Sequence, residues 1–356
     1  MCASDRPFLS GRERGFSIVE VLVGMAIALI IGIAATGSAK VFTASQRQGI
    51  GIGAMSANVG TALAAIKSDV ASAGLGFFGN ATAAHSNFLC YTMDFSVGTT
   101  MKFNGTNFAP VSVTTQGASD QLDAIFSSNI DGGANVLVSA ADPTSATLLS
   151  LLPASVGQAV LLAPKTAGSA CLIRTVTGVT PSTDAAKQAL TFANTGSYNQ
   201  MAFATTPSFA ERDDIALLGT LHWSRYRVSG TNLLLERPLD GTSATLLRNV
   251  LAFRVQYGIT ATTSTSTLSG WQDASGATFG AVNGDSVNRI SALRIAIVTR
   301  SPQREKENAS GVCEASAAKP TLPFSPVVTV EPDVTDWRCY RYRTVVAVVP
   351  LRNLAW

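Results

Sequence analysis

Residues 15–42 read GFSIVEVLVGMAIALIIGIAATGSAKVF, and Glu20 is the sole ionisable side chain between Phe16 and Lys40. As a helix, Phe16 to Ala39 would extend roughly 36 Å at about 1.5 Å per residue, enough to cross a bilayer. A carboxylate within such a run costs on the order of 2–3 kcal/mol at mid-membrane depth and less near the interface, so its presence calls for a chemical reason.

The preceding segment, MCASDRPFLSGRERG at 1–15, is short and polar, with Arg6, Arg12 and Arg14 against Asp5 and Glu13. Its positive flank favours the cytoplasmic side of a membrane. Cleavage after Gly15 would make Phe16 a free cationic amino terminus, with Glu20 four residues along. The two charges can then compensate each other, within one chain or between neighbours. Glycine at the cut suits a protease that must approach the backbone closely.

The string G-F-S-I-V-E-V-L-V-G-M-A-I-A resembles the class III signal of type IV prepilins and type II secretion pseudopilins. That resemblance implies that prepilin peptidase cleaves after Gly15 and methylates Phe16, and that Glu20 neutralises the amino terminus of an adjacent subunit during assembly. Two other readings of the same segment are an ordinary secretory signal cut near Gly37-Ser38-Ala39 and a plain single-pass anchor. Neither accounts for the glutamate inside the apolar run or for the Gly-Phe junction. Mass analysis of the amino terminus separates the three, by a start at methylated Phe16, at Lys40, or at the unprocessed Met1 or Cys2.

Beyond Lys40, apolar residues recur at Met55, Val59, Leu63, Ile66 and Val70, steps of three and four that place one stripe on a helix and predict packing against a globular module. Gln46, Arg47, Lys67 and Asp69 are expected to be solvated. Glycines at 24, 32, 37, 49, 51 and 53 each weaken a helix by roughly 0.5–1 kcal/mol, so local bending or unwinding is expected. Gly74 and Gly76 mark the stop, and DVASAGLGFFG at 69–79 resembles the helix end of PilW-type minor pilins.

From residue 80 to 335 the chain is rich in Ser, Thr, Ala, Gly and Asn, as suits short strands joined by polar loops. Strands are expected around Leu122–Phe126, Val136–Ser139, Ala159–Ala163, Leu172–Val176, Ile215–Val228 and Leu233–Glu236, and then more densely at 246–259, 289–301 and 340–356. The order of N-V-x-x-F-x-V-Q-Y-G, a loop with Trp271, I-S-x-L-R-I-A-I-V-x-R-S and Y-R-T-V-V-A-V-V-P-L-R-N-L resembles PilW and the J-type pseudopilins. Residues 80–210 carry no such resemblance and are expected to hold this protein's own contacts.

The expected fold is α+β and pilin-like, a long amino-terminal helix packed on an antiparallel β-sheet module. The expected organisation is a leader at 1–15, a membrane and assembly half of the helix at 16–39, an amphipathic half at 40–76 and a β-rich domain at 77–356. With Cys2 in the leader, Cys90, Cys171, Cys313 and Cys339 remain, an even number without metal-site spacing, which points to an oxidising compartment and two bridges. Of three connectivities, the sequence-local pairs Cys90–Cys171 and Cys313–Cys339 are expected. The second would close the proline-rich loop of 302–336.

Chemistry is otherwise sparse. His85 and His222 lie in no motif, and no nucleotide, hydrolase or zinc-protease fingerprint occurs, so neither an enzyme nor a cofactor is expected. Asp131-Gly-Gly and Asn283-Gly-Asp285 are fragments of calcium-loop patterns without the remaining acidic positions, and no metal is expected. Arg338, Arg341, Arg343 and Arg352 with Tyr340 and Tyr342 fit either a base-stacking strand or the period-two alternation of an amphipathic one. Lys plus Arg number 26 against 23 Asp plus Glu, spread thinly, so there is no basic field and no nucleic-acid partner is expected.

The resemblance implies a minor pilin that primes a type IV pilus or joins its tip complex, with prepilin peptidase, other minor pilins, the major pilin, a tip adhesin and the inner membrane as partners. A J-type pseudopilin of a type II secretion system is the nearest alternative. A membrane-anchored exported enzyme is the alternative from another class. The chain is expected to span the inner membrane once, with its large domain periplasmic, before entering the pilus.

Overall fold

The structure is a computed structural model that describes residues 15, 17–77, 90–128, 135–166, 168–181, 187–263, 265, 267–282, 284–308 and 310–353. Helix α1 (Ile18–Ser72) runs without a break. The expected unwinding at Gly49, Gly51 and Gly53 does not occur, because each glycine's cost is small beside the cooperative hydrogen bonding supported by the surrounding Ala, Ile and Met residues. The chain divides into two compact units, residues 1–54 and Met55–Trp356, with the division inside α1.

The strands in chain order are β1 (Thr92–Val97), β2 (Thr100–Asn107), β3 (Val111–Gln116), β4 (Ser119–Ser127), β5 (Asn135–Asp142), β6 (Ser145–Leu148), β7 (Ala159–Ala163), β8 (Cys171–Thr175), β9 (Gly178–Thr180) and β10 (Gln188–Thr191). They continue with β11 (Asp214–Gly219), β12 (Leu221–Ser229), β13 (Asn232–Arg237), β14 (Thr242–Arg248), β15 (Val250–Thr260), β16 (Leu268–Asp273), β17 (Ile290–Arg300), β18 (Thr321–Leu322), β19 (Val328–Thr329) and β20 (Tyr342–Pro350). They form a nine-stranded sheet in the order β2-β1-β8-β7-β11-β5-β6-β10-β9, a five-stranded sheet β14-β13-β12-β4-β3, a four-stranded sheet β16-β15-β17-β20 and a small β18-β19 ribbon. Pairing is antiparallel except where β1 meets β8, at Met93 opposite Cys171.

The predicted stripe of α1 supplies one wall of the main core. Val59, Leu63, Ile66 and Val70 pack with residues of all three large sheets, among them Phe95, Leu122, Ile173, Tyr226, Phe253 and Ile295. Gln46 and Lys67 are exposed, and the side chain of Arg47 lies outside the described residues. Asp69 departs from the expectation of a solvated face, because it accepts a hydrogen bond from the buried Tyr226 hydroxyl at 2.6 Å.

A second core lies on the far side of β7, β8 and β11. Leu161, Ile173 and Ala216 face the helix side, while Val160, Leu162, Leu172 and Ile215 join Val138, Leu148, Leu190 and Phe192. Strands covered on both faces read as unbroken apolar runs, which is why AVLLA at 159–163 is buried at every position. The run expected as one strand over Ile215–Val228 is two, since Gly219, at φ +68°, turns the chain from the nine-stranded into the five-stranded sheet before β12.

Side chains stitch the five- and four-stranded sheets together. β16 pairs with β15 from Gln256 to Thr260, so the N–H groups of Phe253 and Val255 find partners elsewhere. Phe253 N donates to Ser119 Oγ at 3.2 Å and Val255 N to Asp120 Oδ2 at 2.7 Å. Val113 N donates to the Tyr257 hydroxyl at 2.7 Å. Each bond leaves a buried polar group satisfied, worth roughly 1 kcal/mol net and more if broken on one side.

Candidate processing and assembly segment

Gly15 is exposed, and a Cβ placed on it would have open space on all sides within 4 Å. Phe16 and the leader at 1–14 lie outside the described residues. Helix α1 is started by Ser17, whose hydroxyl accepts from Val19 N at 3.3 Å and whose carbonyl accepts from the N–H groups of Glu20 and Val21 at 2.9 and 3.1 Å. A side-chain oxygen at this place satisfies an N–H that has no partner inside the helix. Glu20 stands in the first turn, where a negative charge also complements the helix dipole.

From Ile18 to Ala39 the segment is long and apolar enough to cross a membrane, and none of it is buried within the protein. Ile18, Val19, Leu22, Met25, Leu29, Ile30, Ile31 and Ile33 all present most of their surface outward. The hydroxyls further along do not spoil this surface. Thr36 bonds back to the Gly32 and Ile33 carbonyls, Ser38 to Ala34 and Thr43 to Ala39, so each polar group is satisfied inside the helix, as an apolar medium requires. The stretch Gly49–Ser72 passes the same length and composition test, but its stripe from Met55 onward is committed to the core.

The cysteines meet in pairs. Cys90 is bonded to Cys171, with Cα atoms 5.6 Å apart, and Cys313 to Cys339, with Cα atoms 4.7 Å apart. Among the described residues the one cluster with metal-ligating atoms is Glu307 with Cys313 and Cys339, and there the two sulfurs already bond each other. His222 stacks on Phe126 at 5.1 Å between ring centroids. His85 and Asp131 lie outside the described residues, as does Asn283. The backbone of Asp285 belongs to a short helix, Gly284–Val287, and its side chain is likewise outside the description.

The arginine and tyrosine alternation near the end of the chain is engaged within the fold. Arg341 pairs with Glu305, Arg343 donates to Ser56 Oγ, Arg338 lies over the Trp337 ring at 5.3 Å and Tyr342 donates to the Trp337 carbonyl at 3.0 Å. Arg300 lies 4.6 Å from the centre of the Tyr340 ring, and Arg352 is exposed.

Residues 10–36 match the family model described as the prokaryotic N-terminal methylation motif, and residues 225–353 match that of the type IV pilus-assembly protein W. The chain thus carries a prepilin-type methylation motif at one end and a PilW-type domain at the other. The PilW domain covers the second half of β12 and every later strand, ending at Asn353, while the whole nine-stranded sheet lies before it. No curated protein matches the chain significantly. Among solved structures, a type IV-like pilin from Thermus thermophilus aligns at 10% identity and a TM-score of 0.35, covering 85% of this chain and 97% of that one. The family matches point to a structural protein of the pilus system, and the apolar helix behind a prepilin motif fits membrane anchoring and incorporation into a pilus.

Proposed function

We propose that the chain is a minor pilin that primes assembly of a type IV pilus or forms part of its tip complex. Prepilin peptidase cuts between Gly15 and Phe16 and methylates the new amino terminus. The helix then holds the chain in the inner membrane with the sheet module in the periplasm, until it joins other minor pilins, the major pilin and a tip adhesin. The observation that carries this reading is the fully exposed apolar surface from Ile18 to Ala39 with one carboxylate at its head. Such a surface is covered by lipid before assembly and by neighbouring helices after it, and the carboxylate is offset once it faces a cationic amino terminus.

The test is a Glu20→Ala variant in a strain lacking the native copy. Expected is normal cleavage, read by amino-terminal mass, with recovery in the sheared pilus fraction reduced at least tenfold. Normal cleavage with normal incorporation would remove the assembly role of Glu20. The prepilin motif serves the J-type pseudopilin reading equally well. A deletion strain that keeps surface pili and twitching but loses exoprotein secretion selects that alternative.

A further inference from the structure

Three segments that are distant in sequence converge on the end of α1. Gly74 N donates to the Ile125 carbonyl and Ser127 N to the Leu75 carbonyl, both at 2.9 Å, so the backbone leaving the helix runs on as an extra rung beside β4. The contact is close enough that a Cβ on Gly76, itself at φ +85°, would lie 2.0 Å from Ser127 Oγ. From β12, the buried Tyr226 reaches Asp69 through its hydroxyl. Burial, and after it the Asp69 carboxylate, push the phenol well above its usual range, so it stays a donor.

The third contact comes from beyond β20. Leu351 is buried and its N–H donates to the Ser291 carbonyl at 2.8 Å, which fixes the chain beside β17. Two residues later, Asn353 Nδ2 sits 3.4, 3.1 and 3.2 Å from the carbonyl oxygens of Ala71, Ser72 and Ala73. Carbonyls at a helix end have no partner within the helix, and this amide, with two hydrogens, lies within reach of three of them, the Ser72 carbonyl also accepting from Leu75 N at 3.0 Å.

An apolar stripe decides which face of a helix packs, yet it is permissive to sliding along the axis. Hydrogen bonds to named carbonyls and to one carboxylate are not. We propose that Tyr226 and Asn353 are positioning residues that fix the axial register of α1 on the sheet module, so that a pull along the helix reaches the sheets through them. The idea rests on α1 being the assembly helix, along which such a pull arises when the chain leaves the membrane.

The experiment has two arms on the full chain. In detergent solution, amide hydrogen exchange is followed over residues 66–75 and over β17. Asn353→Ala and Tyr226→Phe are each expected to raise exchange at the helix end about 5- to 10-fold, and more than in β17. Asp69→Asn, which keeps an acceptor oxygen for the Tyr226 hydroxyl, stays within about twofold of the native chain, whereas Asp69→Ala behaves like Tyr226→Phe. In cells, the Tyr226→Phe, Asn353→Ala double variant is expected to reach the membrane and be cleaved normally while its recovery in filaments falls several-fold. Exchange unchanged at the helix end in both single variants, or unaltered recovery of the double variant in filaments, overturns the proposal. Absence of the native chain from filaments overturns the assembly reading instead, and the exchange arm still decides the grip.

Discussion

Residues 18–39 and 55–72 belong to one helix and are both rich in Ala, Ile, Leu, Met and Val, yet they use those residues in opposite ways. The first stretch exposes its apolar side chains on every face. The second buries Val59, Leu63, Ile66 and Val70 and leaves Gly60, Ala64, Lys67 and Ser68 to solvent. Periodicity separates the two, since a stripe with polar intervals calls for a folded partner and an all-round apolar surface calls for lipid or other helices. The difference assigns separate failures to separate changes. Substitutions in the first stretch should leave the module folded, and those in the second should loosen it.

The largest expected effect is all or none. Gly15→Val should block cleavage, because a branched side chain fills the space a protease needs beside the backbone, and the intact mass should then retain the leader in every molecule. The next is a paired test within the helix. Ile66→Ala should destabilise the module by about 3 kcal/mol through lost burial and an unfilled cavity, whereas Ile30→Ala should change it by less than about 0.5 kcal/mol. Chemical denaturation of the full chain in detergent, followed by tryptophan fluorescence, compares them. Equal effects would break the division between the two stretches.

The smallest is a pH effect confined to the module. Asp214 is buried, with its carboxyl pushed above the usual carboxylate range by burial, opposed by Lys165 at 3.7 Å and reinforced by Asp213. A carboxyl whose folded value is raised favours the folded state when protonated, and that advantage is lost as pH rises through the folded value. Asp214→Asn should therefore be more stable than the native chain at neutral pH by about 1 kcal/mol. The gap should close on acidification into the ordinary carboxylate range, as read from melting temperatures across pH.

The legibility of the molecule follows the same division. Residues 15–42 declare themselves because a glycine, a bulky apolar residue and a lone carboxylate at that spacing have few other uses. The stripe from Met55 to Val70 and the dense strands near 250, 290 and 345 are legible from period and composition. Strands β1, β2 and β3 are not, since sequences such as TMKFNGTN have neither strict alternation nor an apolar run, and their pairing is settled by partners far along the chain. Asp69 reads as solvated in the sequence for the same reason, because its partner Tyr226 comes from a distant strand and no local signal reports it. Asn353 is legible only as one position of the terminal string that resembles PilW, and nothing in its local sequence says that it meets the end of a helix.

The link between β1 and β8 bears on when the protein becomes itself. Met93 meets Cys171 across a parallel pair, and beside it Cys90 is joined to Cys171, 81 residues along the chain. Closing so long a loop is entropically slow, and a contact of that separation forms after local hairpins have formed. A structural disulfide of this kind forms and persists in oxidising compartments. Under the proposed route through the inner membrane, completion of the nine-stranded sheet is tied to place as well as to time: before the crossing the chain lacks this bridge and stays easy to unfold, and after it the long-range contact is locked.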